Sequence, residues 1–80
     1  MYNRISLFRA EQGLSRRALA GAVGVNAQTI GYLERGDYKP SLELALKIAR
    51  QFGVNVELVF ALTPFEPIAT TLQRAGDDVK

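Results

Sequence analysis

Apolar residues recur along this chain at helical spacing in short runs, and glycine closes most of the runs. From Arg4, the positions Ile5, Phe8 and Gln12, with Leu7 beside them, predict a short first helix that ends at Gly13. Ser15 stands where an N-cap belongs, its hydroxyl able to accept an amide proton left free at a helix start. Leu19, Ala20 and Val23 carry a second helix on to Gly24. Asn26 is the next N-cap, and Ile30 and Leu33 give the third helix only a narrow apolar edge before Gly36. The third helix is therefore short and mostly polar.

Asp37 to Pro40 reads as a turn, and Ser41 after the proline caps a fourth helix carrying Leu42, Leu44, Ala45, Ile48, Ala49 and Phe52. Glu43 in its first turn and Arg50 in its last follow the order that the helix dipole favours. That density of apolar side chains is too high for a surface helix. Gly53 closes it, Asn55 is placed to cap a fifth helix, and Val56, Leu58, Val59 and Phe60 make that helix very hydrophobic. Pro64 and Pro67 cannot continue it, so Ala61 to Glu66 is expected as an extended edge segment displaying Leu62 and Phe65. Residues 1–66 are thus expected to form one domain, and the small, polar residues of 67–80 a frayed tail.

The stretch from Leu14 to Gly36, LSRRALAGAVGVNAQTIGYLERG, organises the rest. Two short helices joined by a glycine-containing turn make a helix-turn-helix unit, whose second helix can lie in the major groove of DNA. Leu14, Leu19, Val23, Ile30 and Leu33 would fix the angle between the helices. Gln28, Thr29, Gly31 and Tyr32, with Ala27 at the tip, would face outward. The Gln28 amide can pair with adenine N6 and N7, Thr29 can offer its methyl to thymine or its hydroxyl to phosphate, and Ala27 can give only an apolar contact. Tyr32 can touch DNA or cover the edge of the core. Gly31 inside a helix costs about 1 kcal/mol against alanine, which fits a close approach to DNA or to a neighbouring helix.

Charge and composition sharpen this picture. The net charge of +2 says little, but its distribution says more. Residues 1–40 carry Arg4, Arg9, Arg16, Arg17, Arg35 and Lys39 against Glu11, Glu34 and Asp37, a net of +3, whereas residues 41–66 come to −1. Such a division fits one face for a polyanion and another for a protein, although ordinary solvated charge gives the same tally. Neither Cys nor His occurs, which removes thiolate nucleophiles, imidazole bases and the usual zinc ligands, so no enzyme, metal site or cofactor is expected. No apolar run approaches the roughly 20 residues of a membrane span, and a cytoplasmic location is expected.

Residues 8–60 resemble the Cro/CI-type (XRE) helix-turn-helix regulators of bacteria and phages through the combination GLS, LA, GV, TI, LERG, PSLELALKIA and FGV. The resemblance implies an all-α, lambda-repressor-like bundle of five helices. The N-terminal segment and TPFEP are similar to a compact subgroup, the small cytolysin repressors, which implies a short antiparallel β extension and a rigid dimer. By position, it implies base contacts at Ala27, Gln28, Gly31 and Tyr32. The implied phosphate contacts are Ser15, Arg16, Asn26, Arg35, Lys39 and Ser41, and Arg9 and Glu34 match a structural salt bridge. Arg16 stands where the family often has Gln, which implies a phosphate role there. Ala27 and Gly31 replace larger polar residues, leaving recognition to Gln28, Tyr32 and DNA shape.

One unit of this size touches little DNA, so a homodimer on a palindromic operator, acting as a repressor, is the expected solution, with half-sites roughly 34 Å apart. Val56, Val59, Phe60, Leu62 and Phe65 supply more apolar surface than a small bundle needs and are expected at the dimer interface; the alternative is a tail folded back on its own monomer. An antitoxin-like module, gripping a second protein through residues 67–80 and binding DNA only to regulate itself, is the other reading of the chain.

Overall fold

In the computed structural model residues 1–66 are described; the expected tail, 67–80, lies outside them. The elements run β1 (Tyr2–Asn3), α1 (Ile5–Gln12), α2 (Arg16–Val23), α3 (Ala27–Arg35), α4 (Leu42–Phe52), α5 (Val56–Val59) and β2 (Phe60–Ala61). Five helices and a small antiparallel sheet therefore appear together.

Three of the expected N-caps form through side chains. Ser15 Oγ accepts the amide of Ala18 at 3.0 Å, Asn26 Oδ1 that of Thr29 at 2.8 Å, and Ser41 Oγ that of Leu44 at 3.1 Å. Gly24 takes the left-handed conformation (φ 81°) between α2 and α3, where a side chain would be strained, and this lets the chain turn sharply into Asn26.

Every helix contributes to one core. Ile5 of α1, Leu19 and Val23 of α2, Ile30 and Leu33 of α3, Leu44, Ile48 and Phe52 of α4, and Val59 of α5 are all buried in it. Phe8 and Phe52 stack at 5.4 Å between ring centroids, and Gln12 Nε2 donates to the Phe52 carbonyl at 2.9 Å, so the ends of α1 and α4 are locked together. α4 is buried on one side only: Leu44, Ala45, Ile48, Ala49 and Phe52 face inward, whereas Leu42 and Leu46 are exposed.

The ends of the domain differ from the expectation. Phe60 is not helical. It pairs in β2 with Asn3, while Tyr2 pairs with Ala61, and the amide of Arg4 donates to the Val59 carbonyl at 2.8 Å. The N-terminal strand satisfies backbone groups that a longer α5 would otherwise have used. Asn55 occupies the N-cap position of α5 but makes no side-chain cap. The strand stops at Ala61, so the expected extended segment is broken by a bend at Leu62 and Thr63. Leu62 is displayed, at 87% exposure, but Phe65 is half-buried with the Arg4 guanidinium 4.1 Å from its ring centroid. Asn3, in a stretch too short to show any pattern, holds two helices. Its Oδ1 accepts the Ile5 amide at 3.1 Å and its Nδ2 donates to the Leu33 carbonyl at 2.8 Å.

Candidate nucleic-acid interface

Helix α3 packs against α2, with Ile30 and Leu33 sunk in the core. Ala27, Gln28 and Tyr32 of the same helix are exposed. Together with Arg16, Gly31 and Arg35 they line an open cleft of about 400 Å³. The Gln28 amide is engaged by no other group among the described residues, so both its donor and its acceptor are available.

Two of the expected base-contact residues are less open than the sequence implied. Thr29 is half-buried, and its hydroxyl donates to Asn26 Oδ1 at 2.9 Å, so its proton is committed to the cap. Gly31 is buried rather than outward-facing. A Cβ placed on it would lie 3.5 Å from Arg35 Nη1 and 3.7 Å from Arg16 Nη1. Two guanidinium groups roof the glycine, and they, rather than its backbone, form the surface at that point.

Glu34 holds this arrangement. Arg9 Nε donates to its Oε2 at 2.8 Å and Arg9 Nη2 to its Oε1 at 3.3 Å, while Arg16 Nε donates to the same Oε1 at 2.7 Å. Arg9 also donates from Nη1 to the Leu14 carbonyl at 2.9 Å, tying the α1–α2 turn to α3. The Glu34 side chain is only 5% exposed, Arg9 is 18% exposed and Arg16 50%. A nearly buried carboxylate thus carries two arginines, one structural and one at the mouth of the cleft. Arg35 is held separately, by Asp37 at 3.1 Å, with its guanidinium 5.1 Å from the Tyr32 ring centroid.

A family model described as Helix-turn-helix matches residues 5–59. The chain belongs to the XRE-type helix-turn-helix family. It is 50% identical over 60 residues to an uncharacterized HTH-type transcriptional regulator of Archaeoglobus fulgidus, covering 75% of this chain and 86% of that one. It is 47% identical over 62 residues to the uncharacterized HTH-type transcriptional regulator YgzD of Bacillus subtilis, covering 78% and 94%. Among solved structures, the fold is similar to that of the hypothetical transcription factor NHTF from Neisseria (TM-score 0.70, 24% identity, 89% of this chain and 76% of that one). It is also similar to the clp gene regulator ClgR of Corynebacterium glutamicum (TM-score 0.63, 29% identity, 94% and 77%).

In this helix-turn-helix unit the expected phosphate-contacting residues fall into two groups. Ser15, Asn26 and Ser41 are exposed, and each caps a helix through an acceptor oxygen. The hydroxyl protons of the serines and the Nδ2 hydrogens of Asn26 remain as donors. Lys39 is an exposed cation outside the cleft, whereas Arg16 and Arg35, also exposed, line it with Ala27 and Gln28. Nothing local in the sequence connects Arg16 to Glu34, 18 residues away.

The residues expected at a dimer interface separate as well. Val59 is fully buried in its own core and is unavailable to a partner. Val56 and Phe60 are half-buried and line an apolar hollow of about 360 Å³ with Met1, Leu42 and Ala45. Leu46 and Leu58, both roughly half exposed, border a second hollow that shares Val56. Leu42, Leu46 and Leu58 are thus exposed apolar side chains that were not among those expected at an interface, and the fourth helix, expected to be too apolar for the surface, has an open side. None of the described helices is long and apolar enough to cross a membrane.

Proposed function

We propose that this chain is a sequence-specific DNA-binding transcriptional regulator that works in the cytoplasm as a homodimer on a palindromic operator, with α3 in the major groove. The observation that carries the reading is the exposed, unengaged Gln28 beside Ala27 and Tyr32, on a helix whose other side is fixed in the core. A rigid helix presenting a free amide is what direct readout of adenine requires. Ser15, Asn26 and Ser41 donate to phosphates with the protons their capping roles leave over, and Arg35 and Lys39 add charge along the same flank.

Dimerisation uses the α4–α5 face around Val56, with Leu42, Leu46, Leu58 and Phe60, and Leu62 at its edge. Exposed leucines gathered around a shared half-buried valine give this face the apolar character that protein interfaces have at their centres. Two copies related by a twofold axis then read two half-sites roughly 34 Å apart. Repression is the direct consequence, since occupancy of the operator excludes other proteins from it.

Selection of bound sequences from a random duplex pool tests the reading. An inverted repeat with centres about ten base pairs apart is expected; recovery of unselected sequence contradicts it.

A further inference from the structure

We infer that Arg16 reads a base, its guanidinium fork selecting guanine in the major groove, instead of contacting phosphate as its sequence position implies. The inference rests on the DNA-binding reading above.

The ion-pair geometry determines which part of Arg16 is free. Glu34 Oε1 takes the Arg16 Nε proton at 2.7 Å, and Arg9 satisfies the rest of the carboxylate. Arg9 is then spent, because its Nη1 is on the Leu14 carbonyl. One carboxylate between two guanidinium groups leaves one positive charge over, and the exposed member of the set is Arg16. Anchored through Nε, Arg16 keeps its terminal Nη1 and Nη2 edge without a protein acceptor among the described residues.

That edge extends over the recognition helix and not away from it. Arg16 Nη1 lies 3.7 Å from where a Gly31 Cβ would stand, and Arg35 Nη1 lies 3.5 Å from the same point. The fork therefore borders the cleft that Ala27, Gln28 and Tyr32 line, on the face that would meet base edges. Ala27 adds little side-chain bulk beside the fork, and over Gly31 the two guanidinium groups are themselves the surface that a base edge would meet. Two cations over one spot favour the most electronegative base edge. Guanine presents O6 and N7 as two acceptors in one plane, matching the two parallel N–H groups of an arginine fork anchored on Glu34 through Nε.

The test compares wild type with Arg16→Lys and Arg16→Gln in selection from a random duplex pool, with thermal melting by circular dichroism to verify each fold. Wild type is expected to enrich a guanine at one symmetric position in each half-site. Arg16→Lys, which keeps the charge but not the fork, should lose that preference by roughly 5- to 150-fold, retaining the other positions and the salt dependence. Replacing that guanine by 7-deazaguanine, which removes only N7, should weaken wild-type binding at least about fivefold, a readout that needs no variant to fold. An unchanged motif in Arg16→Lys, or a uniform loss in Arg16→Gln with a salt slope smaller by about one, overturns the inference in favour of a phosphate contact while leaving DNA binding intact. A wild-type motif without guanine, or one insensitive to 7-deazaguanine, also overturns it. Enrichment of no motif by wild type defeats the underlying reading and this inference with it.

Discussion

Arg9 and Glu34 meet across 25 residues of chain, Nε to Oε2 at 2.8 Å and Nη2 to Oε1 at 3.3 Å, in a pair that joins α1 to α3. Glu34 is nearly buried, so its removal leaves Arg9 half-sheltered without its counter-charge. Glu34→Ala is expected to lower stability by about 3 kcal/mol, the low end for a broken buried pair, because Arg9 retains some access to water. Urea denaturation measures this directly. A loss under about 1 kcal/mol, the range of surface pairs, would show that the interaction is no more than a surface contact.

Gly31→Ala separates stability from recognition. Its Cβ would meet only the flexible ends of Arg35 and Arg16, at 3.5 and 3.7 Å, which is ordinary contact. The gain in helix propensity should therefore raise stability by roughly 0.5–1 kcal/mol. Because both contacts are of ordinary length, the two guanidinium groups keep their seats, and operator affinity is expected to stay near the wild-type value. Thermal unfolding and fluorescence anisotropy on one preparation check the pair of effects.

Asn3→Ala should destabilise by about 2 kcal/mol, since two hydrogen bonds, to the Ile5 amide and the Leu33 carbonyl, disappear together. The effect should equal the sum of two ordinary hydrogen bonds in a chevron or equilibrium measurement. A change within 0.5 kcal/mol, roughly what an unconnected surface site gives, would mean that β1 does not brace α3.

Leu58→Glu and Val59→Ala distinguish interface from core although the two residues are adjacent. Leu58 is 45% exposed and Val59 is fully buried. If the proposed dimer forms through this face, Leu58→Glu should keep the fold and shift sedimentation from dimer to monomer. Val59→Ala should lower stability by about 2 kcal/mol through lost burial and a cavity, with the association constant of the folded protein retained. The reverse pattern would return Val59 to the interface.

The sequence already displayed the first four helices because each carries a signal of its own. Ser15, Asn26 and Ser41 cap through a local hydrogen bond three residues on, and glycine at each of the first four C-termini needs only the backbone around it. What it concealed depends on distant partners. Phe60 became a strand because Asn3 lies opposite it, and Val59 went inward because α1 and α4 leave it a place; neither is encoded in the run VELVF itself. At the candidate site, Gln28 and Ala27 were legible from helical spacing alone. The burial of Gly31 was not, because its cover comes from Arg16 on another helix and from Arg35, both oriented by acidic partners.

Base readout by the exposed face of α3 is the centre of this account, and Gln28 is its most direct probe. Sequences selected from a random duplex pool by wild type and by Gln28→Ala are compared column by column. The account predicts that Gln28→Ala folds as wild type does and loses preference at one adenine position per half-site, by about 1–3 kcal/mol, with all other columns retained. An identical motif from both proteins, or a uniform weakening of every column, would contradict it.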